Sequence, residues 1–329
     1  MTEAGVQMTA SDIKQYARSL GFDACGIAPA AAHPELAFFR EWLSRGYAGE
    51  MAYLHRSAER RADVRNVVPT ARTVIVTATV YHTDRPYSIE GADAGRAQIA
   101  RYAWGDDYHD VVGARLEQLL AWMRTESAER FDARVYVDTG PVQERVYAQH
   151  AGIGWIGKNT CVISPTLGSW IFLGVVICSL PLEVDPPAFD HCGTCTLCLE
   201  ACPTQAIVAP GVLDSARCIS YLTIEHRGEI PAEHRAAIGS HVYGCDVCQE
   251  VCPWNAVAPR SDDPAWQPRP AWDAVDLLAL SRRSDDELNA ALRGSAMRRA
   301  KAQGLRRNVA VALENAAPSH AETTVEADP

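Results

Sequence analysis

The sequence predicts an α+β protein: a mixed α/β domain, then a cysteine-rich domain, then a helical tail. Three observations carry that expectation. A β-branched apolar run, RTVIVTATV at Arg72–Val80, reads as a strand buried on both sides. Two cysteine motifs fall between His191 and Asn255, and Pro-rich stretches flank them at Pro181–Pro187 and Pro259–Pro270. The expected units are 1–180, 181–258 and 259–316, with 317–329 too polar to order. A length of 329 residues suits two or three units of roughly 100–200 residues each.

Within the first unit, Ser11–Leu20 is an amphipathic helix capped by Ser11 or Asp12 and ended by Gly21. Asp110–Ser127 is a second helix, with Val111, Leu116, Leu119, Leu120 and Met123 on one face. Arg134–Asp138 is a short strand running into the turn Thr139-Gly140-Pro141 and a helix to about Ala151. Gly152–Thr160 is a Gly-rich loop. Cys161–Ser164 and Ser169–Cys178 are expected to form a hairpin around Pro165–Gly168. The tail, Asp273–Ala316, is helical.

Hydrophobic residues make up 47% and charged residues 22%, the balance of an ordinary globular chain. The start is polar, without the basic and apolar regions of a signal peptide. The longest apolar stretch, Trp170–Leu182, is short of the roughly 20 residues that span a bilayer. A cytoplasmic, membrane-free protein is therefore expected. In that reducing compartment eleven cysteines argue for metal rather than disulfides. The net charge of −10 speaks against a generic nucleic-acid binder but leaves room for a local basic patch.

Cys192, Cys195, Cys198 and Cys202 form C-x2-C-x2-C-x3-C before Pro203, the bacterial ferredoxin run whose fourth thiolate crosses to the other cluster. A zinc knuckle would use four cysteines and leave the rest idle. The second motif, Cys245, Cys248 and Cys252-Pro253, lacks one cysteine, because Val242 stands in its place; Cys218 is the obvious replacement. The crossing rule then gives one [4Fe-4S] cluster on Cys192, Cys195, Cys198 and Cys252, and another on Cys202, Cys218, Cys245 and Cys248. Cys25, Cys161 and Cys178 sit among apolar or small residues and read as small hydrophobes.

A ferredoxin alone needs far fewer residues, so the first unit has its own task. Its best candidate is Asp138, at the end of a strand and before a sharp turn. The residues leave two readings open: a desolvated general acid holding its proton near neutral pH, or a cap for the next helix. Tyr102–His109 (YAWGDDYH) reads as a loop with capping acids. The GIGWIGKNT loop is neither a P-loop nor G-x-G-x-x-G.

The blocks RYAWGDDYHDVV, VDTGPVQERVYAQHAGIGWIGKNT, GSWIFLG, HCGTCTLCLEACPTQAI, ARCISYLTIEHRG, YGCDVCQEVCPWN and RRAKAQGLRRNVAVALENA together resemble the epoxyqueuosine reductases. They run from about residue 98 to 316, with a looser match upstream. The resemblance implies a nitroreductase-like α/β cobalamin-binding domain, a two-[4Fe-4S] ferredoxin-like domain and a short C-terminal HEAT-like helical part. It implies an oxidoreductase that reduces epoxyqueuosine to queuosine at the tRNA wobble position with cob(I)alamin. Asp138 would deliver a proton, with His109 in the same pocket. Corrin contacts would fall at Arg61, Ala100, His109, Asp138, Val162, Leu173, Ser220 and Asp246. Arg227 would lie near the tRNA. Family members often carry more HEAT-like helices than the one unit here.

Between Arg282 and Arg307 eight basic residues face Asp285, Asp286 and Glu287, a stripe suited to a phosphate backbone. Arg298, Arg299, Lys301, Arg306 and Arg307 are its candidate tRNA contacts, and Trp104 or Tyr221 a stacking platform for a base. A flavodoxin or ferredoxin would supply electrons, and the chain would be a monomer. Two alternatives are a reductive dehalogenase, which usually carries a twin-arginine signal not seen here, and a non-enzymatic corrinoid or electron-transfer module.

Overall fold

A computed structural model of the chain describes residues 8–91 and 95–317. The disorder expected for the C-terminus therefore lies outside the described residues from 318 onward.

The centre is a four-stranded sheet of β1 (Ala24–Pro29), β2 (Thr73–Val80), β3 (Ala133–Tyr136) and β4 (Ile171–Cys178), in the order β1-β2-β4-β3. Every pairing is antiparallel. All eight residues of β2 are buried, as the apolar run predicts. Alternate side chains of β2 and β4 serve opposite faces. Ile75, Phe172 and Val176 pack under the helices Ala10–Ser19 and Tyr108–Glu126. Val74, Val76, Val175 and Ile177 pack under the helix Glu144–His150. Continuous apolarity thus reports burial on both faces and not parallel pairing, which the run by itself could not settle.

The helix Tyr108–Glu126 begins two residues before its expected start, and Val112, rather than Val111, is its fully buried valine. It lies close to β4 because of Gly174, where a Cβ would come 2.6 Å from Leu116 and 3.1 Å from Val112.

The expected hairpin is corrected. Val162–Ile163 pairs with Trp155–Ile156, while β4 inserts between β2 and β3. Only a bridge between Ser164 and Gly168 remains of the turn. An eight-residue buried strand needs a ladder on both edges, and a two-residue arm cannot satisfy it.

The cysteine region joins the first unit through His241–Tyr243, which pairs in parallel with Gln98–Ile99. The tail is packed into the same body. Leu292, Met297, Leu305 and Val309 share an apolar cluster with Leu116 and Phe172. Asn308, fully buried, donates from Nδ2 to the carbonyls of Thr223 (2.7 Å) and Val242 (2.8 Å). Among the described residues no helix is long and apolar enough to cross a membrane.

Candidate active site

Asp138 follows β3 and is not part of it. Its φ is +56°, and the N–H of Thr139 donates to the carbonyl of Val137 at 2.5 Å across it. That is a tight γ-turn with Asp138 at its apex, a strained backbone that Asp tolerates better than most residues. Gly140 lets the chain fold back: a Cβ there would stand 2.3 Å from the Tyr136 ring. The turn is tied from outside, where Arg61 Nη1 donates to Val142 O (2.7 Å) and Gln143 Nε2 donates to Arg61 O (3.1 Å).

The turn presents Asp138 to a cavity of about 410 Å³, inside the range of roughly 300–1,000 Å³ usual for small-molecule sites. Tyr108 donates its hydroxyl to Asp138 Oδ2 at 2.8 Å, and His109 Nε2 lies 3.7 Å from the same oxygen. The other His109 nitrogen, Nδ1, is 2.7 Å from Asp107 Oδ1. Asp107 also caps its helix by accepting from the His109 N–H. The YAWGDDYH segment is therefore both cap and site.

These partners fix the charges. Burial pushes the Asp138 carboxyl up, but the nearby His109 imidazole and the Tyr108 hydroxyl bond outweigh it and hold the group below its ordinary value. Burial pulls His109 down, yet its hydrogen bond to Asp107 and the nearby Asp138 carboxylate raise it to about 9. Of the readings left open for Asp138, these partners favour a charged carboxylate with the proton on His109. The Asp138 side chain is 69% accessible, and that access runs through the cavity.

Six of the eight expected corrin contacts line this cavity: Ala100, Asp138, Val162, Leu173, Ser220 and Asp246. His109 stands behind Asp138, and Arg61 lies outside the lining as the clamp on the turn. Asp246 accepts from the Arg101 N–H at 2.6 Å; burial, only partly countered by that bond, raises it to about 7. Tyr102, Glu144, Arg145 and Cys161 also line the wall, though sequence reasoning had not singled them out as site residues. The "ER" after the turn was the only available signal, and it gives no direction to a side chain. Cys161 lies in the wall with Cys248, whose neighbouring thiol holds that of Cys161 down.

The floor of the cavity carries Cys202, Cys218, Cys245 and Cys248. Cys192, Cys195, Cys198 and Cys252 surround a separate, smaller cavity beside Trp254 and Lys158. Burial, then the neighbouring thiols of Cys192, Cys252 and Cys195, push Cys198 up to about 11. Such crowding of thiols is relieved when metal takes their protons. N–H groups already aim at sulfur, as iron–sulfur thiolates require: Trp155 Nε1 to Cys192 Sγ (3.4 Å) and Ala206 N to Cys202 Sγ (3.2 Å). Two sets of four thiols with donors in place fit two cubanes. A cavity walled by both domains and floored by one thiol set fits a large redox cofactor.

The basic residues divide. Arg298 and Lys301 are exposed. Arg299 makes a two-pronged ion pair with Glu225, Arg306 pairs with Asp285, and Arg227 donates to Arg299 O. Arg307 is corrected as a phosphate contact. Its guanidinium is committed to the carbonyls of Leu222, His226 and Gly228 and to Asn308 Oδ1. Tyr221 is buried with its hydroxyl bound to the Glu50 N–H, and Trp104 Nε1 donates to Ile99 O. Tyr221 is thus removed as a base platform, and Trp104 is tied by its indole N–H.

Fold and site define a two-cluster iron–sulfur oxidoreductase with its reaction cavity set directly on one thiol set. Residues 61–139 match the family described as Epoxyqueuosine reductase QueG, DUF1730, and residues 191–255 the 4Fe-4S double cluster binding domain. The epoxyqueuosine reductase of Gloeobacter violaceus is 46% identical over 316 residues, spanning 93% of this chain and 96% of that protein. That of Xanthomonas campestris pv. campestris is 42% identical, spanning 93% and 87%. A crystal structure of epoxyqueuosine reductase with an epoxyqueuosine-modified tRNA-Tyr stem loop superposes with a TM-score of 0.84 at 32% identity, spanning 93% of this chain and 81% of that one. In a Bacillus subtilis epoxyqueuosine reductase, with a TM-score of 0.83 and 32% identity over the same shares, an aspartate-bearing catalytic loop is swung out of the active site. The chain belongs to the epoxyqueuosine reductase family.

Proposed function

We propose that the chain reduces epoxyqueuosine to queuosine in the anticodon loop of tRNA, with a corrinoid in the 410 Å³ cavity and a [4Fe-4S] cluster on each thiol set. One observation carries this reading: Asp138 and the thiols of Cys202, Cys218, Cys245 and Cys248 line a single cavity. Ala100, Val162, Leu173, Ser220 and Asp246 would hold the corrinoid, which supplies a strongly reducing cobalt centre. Loss of the epoxide oxygen as water, leaving an alkene, consumes two electrons and two protons. The two thiol sets would hold the clusters that supply the electrons, and a flavodoxin- or ferredoxin-type donor would load them at the set around Cys198, where the neighbouring Leu197 is exposed. The chain acts as a monomer in this scheme. Tyr108, His109 and Asp107 hold Asp138 at the reacting face, and His109 restores the proton that Asp138 passes on.

Anaerobically reduced protein, given corrinoid and an epoxyqueuosine stem loop, is expected to yield queuosine. Full cofactor loading with no conversion would overturn the reading.

Arg298 and Lys301, exposed and without an ion pair among the described residues, would contact phosphate, with Arg227 and Arg299 nearby. Arg298→Ala with Lys301→Ala is expected to weaken stem-loop binding and reduce its salt slope by roughly one to two, the worth of two phosphate contacts. Arg307→Ala is expected instead to lower stability by about 1–3 kcal/mol, since it leaves the part-buried carbonyls of Leu222 and His226 without their donor. A thermal melt unchanged in Arg307→Ala, or an unchanged salt slope in the double variant, would contradict these assignments.

A further inference from the structure

Besides Asp138 and Asp246, the cavity holds a third carboxyl group, Glu144, whose surroundings are the opposite of those of Asp138. Glu144 opens the helix Glu144–His150, six residues beyond Asp138 on the far side of the clamped turn, and both line the same cavity. Asp138 is met by a tyrosine hydroxyl and an imidazole. Glu144 is met by neither: its Oε1 is buried with no hydrogen-bond partner among the described residues. A charged carboxylate left in that position would carry an unpaid desolvation cost, and a neutral acid is the form that tolerates it.

The charged groups that reach Glu144 are Asp138, Arg61 and Arg145. Arg61 spends its Nη1 on Val142 O and its Nε on Ser57 Oγ, and Arg145 spends its Nη1 on Thr160 O. Neither forms an ion pair with Glu144 among the described residues. Burial, then the Asp138 charge, push the Glu144 carboxyl up to about 8 against the weaker pull of its own backbone N–H and the two arginines. Asp138 and Glu144, driven in opposite directions by their surroundings in one cavity, mark out separate proton roles, whereas Asp246, also raised, is held by the Arg101 N–H.

Epoxide removal sets the demand, and here the inference rests on the function proposed above. One C–O bond breaks with uptake of a proton to give a hydroxyl. The second breaks with uptake of another proton as the oxygen departs as water, and the cluster electrons complete the alkene. The Asp138–His109 pair supplies one proton. We propose that Glu144 supplies the other: it enters each turnover as the neutral acid, protonates the departing oxygen, and is reprotonated from solvent through the open cavity.

Two measurements test this. The first needs no turnover. Infrared difference spectra of cofactor-loaded protein, titrated from neutral to alkaline pH, should show a carboxylic-acid C=O band that is absent from Glu144→Gln. A wild-type spectrum at neutral pH without that band overturns the proposal, whatever the protein turns over. The second is single-turnover conversion of the modified stem loop. Glu144→Gln is expected to keep its iron, corrinoid and stem-loop affinity and convert about 10²-fold more slowly. Glu144→Asp, which restores an acid, should recover at least part of that loss. A wild-type rate in Glu144→Gln overturns the proposal, as does a loaded, folded Glu144→Asp no faster than Glu144→Gln. Wild-type protein that shows the band but converts nothing would refute the proposed reaction and, with it, this role.

Discussion

Asp138→Asn is expected to slow conversion of the modified stem loop by about 10²–10⁴-fold, the usual worth of a positioned proton carrier, with corrinoid and RNA still bound. The amide keeps the size of the carboxyl and can still accept from Tyr108, so the strained turn survives. It cannot take a proton from His109 or pass one on. The pH dependence follows from the same pair. His109 keeps its proton up to about 9, so wild-type conversion should fall as pH rises through that value. The pair also contributes to stability. The raised His109 contribution is complete below the imidazole's ordinary 6.5 and lost as pH rises through about 9. The lowered Asp138 contribution is present above 3.8 and lost as pH falls below it. Rate and melting temperature measured across pH in wild type and Asp138→Asn check both; a wild-type rate in the variant would remove Asp138 from the chemistry.

Cys218→Ala is expected to abolish conversion and to lower iron from about eight to about four per chain, since each cubane needs its four thiolates. Cys218 stands at the head of the helix Ile219–Ile224, with backbone N–H groups of Ser220 and Tyr221 directed at its sulfur. It lies on the floor of the reaction cavity with Cys202, Cys245 and Cys248. The set around Cys198 has its own cavity, so its iron should remain and visible absorbance should fall by about half. Retention of all eight irons would exclude Cys218 as a ligand and break the crossing assignment.

How much of this was readable in advance depended on distance along the chain. The C-x2-C spacings were legible because a cluster loop is local. The burial of β2 was legible because eight successive residues that are β-branched or alanine, none of them charged, admit few other readings. Asp138 stood out by its place before a turn. Its charge did not, because that depends on Tyr108 and His109, 30 and 29 residues earlier, which the packing of a helix against the sheet brings to it. The hairpin expected around Pro165–Gly168 failed for a similar reason. Local turn residues were present, but the ladder with β2, about a hundred residues away in sequence, claimed β4. Arg307 looked like part of a basic stripe, and only tertiary packing turned it inward onto three carbonyls.

By itself, then, the amino-acid order determined the thiol inventory, the buried strand and the family blocks, since each is a pattern within a short stretch of chain. Which thiols group together around which cavity, which carboxyl is charged and which arginines remain free were decided only by the folded chain. Those properties come from burial and from partners supplied by distant segments, and neither exists until the sheet, the cluster region and the tail have packed into one body.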